Sequence, residues 1–130
     1  MNSSMIAEQK MKQTLQSYID AFNRADPEAI SNLYSDDATV EDPVGKPPMS
    51  GKEAITKFYK MAVQTGAKLA LAAPIRASQG REAAMAFDVQ LNMPQGPATI
   101  RVIDVMAFND EGKVTSMRAF WGISDMEMKA

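Results

Sequence analysis

Residues 98–108 contain the most apolar stretch of the chain, Ile100-Arg101-Val102-Ile103-Asp104-Val105-Met106-Ala107-Phe108, and one carboxylate stands in its middle. The β-branched residues make it a strand. A strand alternates its side chains, so Ile100, Val102, Asp104, Met106 and Phe108 share one face, while Ile103, Val105 and Ala107 share the other. Both faces therefore need cover. A sheet packed on helices from one side leaves the second face bare, and a bare apolar face of this kind marks a partner surface. A homodimer packed through the sheet is the expected answer; burial by the C-terminal tail is the alternative. On the first face, an ionised Asp104 would lose its hydration among apolar neighbours. Either it pairs with Arg101 or another cation, or the face is wet, or it neutralises and becomes a hydrogen-bond donor.

The remainder of the chain reads as helices followed by strands. Met11, Leu15, Tyr18, Ile19 and Phe22 recur at helical spacing. Asp26-Pro27 supplies an N-cap with proline at the first helical position, opening a short helix with Ile30, Leu33 and Tyr34 inward. Ala38 to Asp42 is extended, and Pro43, Gly45, Pro47 and Pro48 make a loop. Ser50-Gly51-Lys52-Glu53 matches a capping box for a third helix with Ile55, Phe58, Tyr59 and Ala62 on one face.

Beyond Gly66 the period changes to two. Strands are expected over Lys68 to Ser78 (bent near Pro74), over Ala83 to Met93, over Ala98 to Phe108 and over Val114 to Trp121. In the last of these Thr115, Met117, Ala119 and Trp121 share a face, and Asn109 to Gly112 forms the hairpin turn before it. The expectation is one α+β domain over residues 1–130, with three N-terminal helices packed on a mostly antiparallel sheet.

Composition narrows the chemistry. The chain has no histidine and no cysteine, which removes Ser-His-Asp and Cys-His catalysis, disulfides and the usual zinc ligands. Acid–base work falls to Asp, Glu, Lys or Tyr. A net charge of -2 gives no electrostatic case for nucleic acid or an anionic membrane. Met1 to Gln13 holds no apolar run of signal or membrane-spanning length, so a cytoplasmic location is expected.

Two further groups attract notice. Asp42 precedes Pro43, which holds it in extended geometry at the edge of the loop. It is either a turn initiator or a carboxylate presented at the mouth of whatever the sheet encloses. Tyr18, Tyr34 and Tyr59 each fall on the apolar stripe of an expected helix. They are either plain core or a hydrogen-bonded chain of phenols.

Taken together, Tyr18, Val40-Glu41-Asp42-Pro43-Val44-Gly45 and Val102-Ile103-Asp104-Val105-Met106 resemble Δ5-3-ketosteroid isomerases. Similarity extends through Asp36 to Thr39, Gly51 to Tyr59, Arg76 to Ser78 and Met117 to Trp121, nearly the whole domain in order. The resemblance implies a cone-shaped fold of the nuclear-transport-factor-2-like type, a homodimer, a steroid substrate, and no metal or cofactor. It implies that Asp42 is the general base, that Tyr18 and Asp104 are oxyanion donors, and that Tyr34 and Tyr59 support Tyr18. It assigns Met85, Phe87, Val89, Val102, Met117 and Trp121 to the steroid pocket. This family is itself the known case of a carboxylic acid kept neutral so that it can donate a hydrogen bond. The chain departs from the family pattern over 66–74 and 90–100, around the pocket rim, which bears on substrate preference more than on reaction type. Two other functions compete. One is a related isomerase or cyclase acting on a polyketide or terpenoid; the other is a non-catalytic apolar-ligand or dimerisation module, which would need neither base nor donors.

Overall fold

The structure is a computed structural model that describes residues 3–129; the first two residues and the last of the expected domain lie outside them. Helix α1 spans Ser3–Asn23 and buries Met11, Leu15, Tyr18, Ile19 and Phe22, the stripe read from the sequence. Helix α2 spans Pro27–Ser31, with the Asp26 carboxylate accepting from Ala29 N at 3.1 Å. Strand β1 (Tyr34–Glu41) and strand β2 (Met49–Ser50) precede helix α3 (Lys52–Gln64). Strands β3 (Lys68–Leu71), β4 (Glu82–Met93), β5 (Gly96–Phe108), β6 (Val114–Phe120) and β7 (Met126–Met128) complete the chain. Among the described residues no helix is long and apolar enough to cross a membrane.

The strands form one sheet in the order β2-β1-β6-β5-β4-β3, with β7 paired to β5. All pairings are antiparallel except β1 with β6. The sheet is curved and unclosed, and the three helices pack on it. Leu15, Ile30 and Ile55 are fully buried there, each contributing about 1.5–3 kcal/mol by leaving water.

Four local expectations differ from the structure. Tyr34 does not continue α2. It opens β1 opposite Val114, and the preceding Leu33 carbonyl accepts from Val114 N at 2.9 Å. Apolar spacing from Ile30 fits a helix, but pairing with β6 satisfies the backbone better than another helical turn. Ser50 does not cap α3; it pairs with Thr39 in the sheet, and Gly51 at φ 89 is the N-cap without a side-chain bond. The Lys68–Ser78 strand breaks into β3 and a single bridge between Arg76 and Ala84. In β6, Thr115 is an extra residue at a bulge, so Val114 rather than Thr115 joins Met117 and Ala119 in the core.

Strand β5 keeps the alternation read from its sequence. Val102, Asp104, Met106 and Phe108 are buried, while Ile103 on the other face is 49% exposed. Phe120 lies opposite Ile103 on β6 and is 41% exposed. The C-terminal tail does not cover this face. It extends the sheet as β7 along the edge of β5.

Candidate active site

Tyr18, Tyr59, Asp42, Asp104 and Trp121 meet at one cavity. Tyr18 comes from the last third of α1 and Tyr59 from α3, both pointing inward along their apolar stripes. Their hydroxyls meet: Tyr59 donates to Tyr18 at 3.1 Å. The Tyr34 and Tyr59 hydroxyls lie 2.7 Å apart. A phenol has one hydrogen to give. Tyr59 gives its own to Tyr18, so Tyr34 donates to Tyr59 and the Tyr18 hydrogen remains free to point into the cavity. Burial pushes all three phenols well above the ordinary tyrosine range, and the bond from Tyr59 pulls Tyr18 back down. The plain-core reading of these rings does not describe this arrangement.

Asp104 projects from β5 between Met85 on β4 and Ala119 on β6. It is 1% exposed, and neither carboxyl oxygen has a hydrogen-bond partner among the described residues. Arg101, the cation offered as its alternative partner, lies an odd number of residues away and so on the opposite face. There it pairs with Glu127 at 2.9 Å. Burial, with a smaller push from Asp42, raises the Asp104 carboxyl well above the usual carboxylate range. A protonated acid is the form such a wall stabilises, and that form has a hydrogen to donate.

Asp42 closes β1 at the cavity edge. The loop behind it is pinned to β6 by Val44 N donating to Ala119 O at 2.8 Å. Its neighbour Glu41 turns away and pairs with Arg118 at 3.0 Å. The Asp42–Pro43 peptide is cis. Trp121, just beyond β6, donates its indole N–H to Asp42 Oδ1 at 2.9 Å. Burial raises the Asp42 carboxyl, and this bond lowers it again. Two carboxyls thus face one cavity in different surroundings, one with a donor aimed at it and one without.

The cavity has a volume of about 250 Å³ and is overwhelmingly apolar. Phe87, Val89, Val102 and Trp121 line it together with Tyr18, Tyr59, Asp42 and Asp104. Met85 and Met117 lie in the core beneath this wall rather than on it, with 2% and 0% exposure. Tyr34 also stands behind the wall and reaches it through Tyr59. Phe22, Phe58, Ala62, Leu69, Leu91 and Ile100 line the cavity without having been singled out as pocket residues. Phe22 follows Tyr18 by four residues on the same helix face, and Ile100 shares the Asp104 face of β5, so periodicity pointed to both.

Comparison with known proteins agrees with this fold. The SnoaL-like domain model matches residues 15–117. The chain is 40% identical over 118 residues to the Steroid Delta-isomerase of Nocardioides simplex, covering 90% of this chain and 94% of that one. It is 25% identical over 130 residues to Epoxide hydrolase LasB of Streptomyces lasalocidi, covering 97% of this chain and 46% of that protein. Among solved structures, the epoxide hydrolase/cyclase-like enzyme SalBIII, described in pyran ring formation in the polyether salinomycin, superposes with a TM-score of 0.86 at 29% identity. That match covers 93% of this chain and 97% of the other.

Proposed function

The chain belongs to the SnoaL-like domain family, and we propose that it is a steroid Δ5-isomerase, converting 3-oxo-Δ5-steroids to 3-oxo-Δ4-steroids by intramolecular proton transfer. The observation that carries this reading is the pairing of unlike carboxyls across one apolar cavity. Asp42 is steadied as an anion by the Trp121 N–H, while Asp104 is held neutral beside a Tyr18 hydroxyl whose hydrogen is free.

The chemistry follows from those protonation states. A C–H next to a carbonyl is a weak acid because the charge left on oxygen is unfavourable. Tyr18 and Asp104 donate to the C3 oxygen and stabilise that charge as it develops. Asp42 removes the proton from C4, giving a dienolate that runs from the C3 oxygen to C6. The same carboxyl, now protonated, returns the proton at C6, and the remaining double bond lies in conjugation with the carbonyl. Tyr34 and Tyr59 touch no reacting atom. They orient Tyr18 and, by donating toward it, ease the partial negative charge it takes on. The apolar wall excludes water and suits a flat hydrocarbon skeleton. In the same proposal the exposed Ile103 and Phe120 face pairs two chains sheet to sheet.

A second reading, a cyclase acting on a polyketide, has weaker support in the likeness to SalBIII and LasB. In it a neutral Asp104 protonates an epoxide oxygen while Asp42 deprotonates an attacking hydroxyl. One assay separates the two. A 3-oxo-Δ5-steroid gains ultraviolet absorbance as it becomes a conjugated enone. Purified protein should produce that rise, and Asp42→Asn should slow it about 10²- to 10⁴-fold. Absorbance rising no faster than in buffer would overturn the isomerase reading.

A further inference from the structure

We infer that the preferred ligand is a 3-oxo-steroid carrying a hydrocarbon substituent on ring D, seated on a methionine lip that continues the cavity wall outward. The inference rests on the isomerase reading for the direction in which the ligand lies.

The donor inventory of the cavity is lopsided. Tyr18 and Asp104 keep a free hydrogen at its inner end. The other polar hydrogens are spent: the Trp121 N–H goes to Asp42, the Tyr59 hydroxyl to Tyr18, and the Thr65 hydroxyl to the Ala62 carbonyl at 2.6 Å. An oxygen at the outer end of a ligand therefore finds no donor from these walls, whereas a hydrocarbon finds Leu91 and Ile100.

The apolar track also runs on past the cavity. Directly opposed residues of an antiparallel pair point to the same side. Ile100 is opposed by Met126 and Ala98 by Met128, so β7 lays two methionines on the inner face of the sheet beyond Ile100. Met126 is half-buried and Met128 is 42% exposed. On the helical wall of the cavity stand Phe58 and Ala62 of α3 and its C-cap residue Thr65. Met61 lies three residues after Phe58 and four before Thr65, on the adjoining stripe, and is 71% exposed. From Asp104 to the Ala98–Met128 row is six strand residues, about 20 Å. The cavity's 250 Å³ falls just under the usual lower limit of about 300 Å³ for a ligand pocket. A ring-D substituent on an occupant anchored by its carbonyl at Asp104 extends outward along β5 toward this lip. Unbranched thioether side chains adapt to a flexible hydrocarbon better than branched ones do.

The test is a binding comparison that needs no turnover. Two 3-oxo-Δ4-steroids, identical except for a 17-oxo group in one and a 17-butyl group in the other, are titrated against the fluorescence of Trp121, the sole tryptophan. The butyl compound should bind about tenfold more tightly, the effect of burying roughly two methylenes. Met61→Gln and Met128→Gln, at exposed positions that should not disturb folding, should each reduce that preference several-fold and leave 17-oxo affinity unchanged. Equal affinity for the two steroids overturns the inference. So does a preference that survives both substitutions, or a change of oligomeric state in those variants with the preference intact, which would assign the lip to a second copy of the chain. Loss of turnover on 3-oxo-Δ5 substrates with the butyl preference intact would instead remove the isomerase reading and leave the lip.

Discussion

Replacing Asp104 by Asn should make the protein more resistant to rising pH, because the wild-type carboxyl must stay protonated to remain where it is. Asp104 is 1% exposed and has no hydrogen-bond partner among the described residues. Burial first, and Asp42 second, raise its folded pKa well above that of the unfolded chain. The unfolded group titrates near 3.9. Above that pH the unfolded chain releases its proton while the folded chain keeps one, so the folded state binds more protons and stability falls as pH rises. The contribution is complete below the unfolded pKa and is lost progressively until the folded pKa is passed. The slope for one proton is about 1.4 kcal/mol per pH unit. As pH rises above the unfolded value, the wild type should therefore lose stability relative to Asp104→Asn, which has no proton to release, at no more than that slope and until the folded pKa is passed. Asp42, also raised, titrates in both proteins and largely cancels in the difference. Urea unfolding at fixed protein concentration and ionic strength, repeated across pH 5 to 8, reads the quantity directly. Parallel wild-type and Asn curves over that range would mean that Asp104 is already ionised or hydrated, and the neutral-donor reading would fail. In turnover, Asn can donate from the same place and should retain more activity than Asp104→Ala. The alanine variant should lose about 10²- to 10³-fold, the effect of one oxyanion donor.

The tyrosine chain predicts a ranking. Tyr18→Phe should lower kcat about 10²-fold or more, and Tyr59→Phe and Tyr34→Phe much less, with equal losses at Tyr34 and Tyr18 contradicting the bonding order. Trp121→Phe removes the bond that lowers the Asp42 pKa, so the acid limb of the kcat/KM profile should move to higher pH. An unmoved limb would show that the indole N–H does not hold the base. Ile103→Lys places a charge on the bare sheet face and should weaken a sheet-to-sheet dimer at least tenfold in sedimentation. A wild type that sediments as a monomer at micromolar concentration would refute that assembly.

The inward direction of Asp104 was legible because a strand has a strict period of two, and one apolar run fixed which residues share its face. The α1 stripe and the Asp26-Pro27 cap were legible for the same local reason. What escaped was set by pairing between distant segments. Tyr34 sits four residues after Ile30, a spacing that a helix would also produce, and only Val114 decides for a strand. Ser50 carries the letters of a cap, yet the sheet claims it through Thr39. The place of Leu69 on the cavity wall depends on Asn23, whose side-chain amide donates to the Leu69 carbonyl and whose oxygen accepts from the Leu69 N–H, each at 2.8 Å. That clamp ties an edge strand to the end of α1 and leaves no periodic trace. The tyrosine ladder lay between these cases. The three rings were visible, but their bonding order needed hydroxyl distances.

The two carboxyls carry one argument further. If both were ionised, the cavity would repel the charge that develops on a ligand oxygen; if both were protonated, it would hold no base. The proposed reaction needs one proton between them, on Asp104. Nothing about aspartate itself chooses the site, and both groups are raised by burial. The choice comes first from burial, which is complete at Asp104 and only partial at Asp42, and then from a single N–H. Trp121 donates to Asp42, and Asp104 receives no bond among the described residues, so the ionised form is favoured at Asp42 and the neutral form at Asp104. Ionised Asp42 then raises Asp104 further, which makes the split self-reinforcing. Activity should accordingly occupy the pH window between the two titrations, with Asp42 setting its acid edge and Asp104 its alkaline edge.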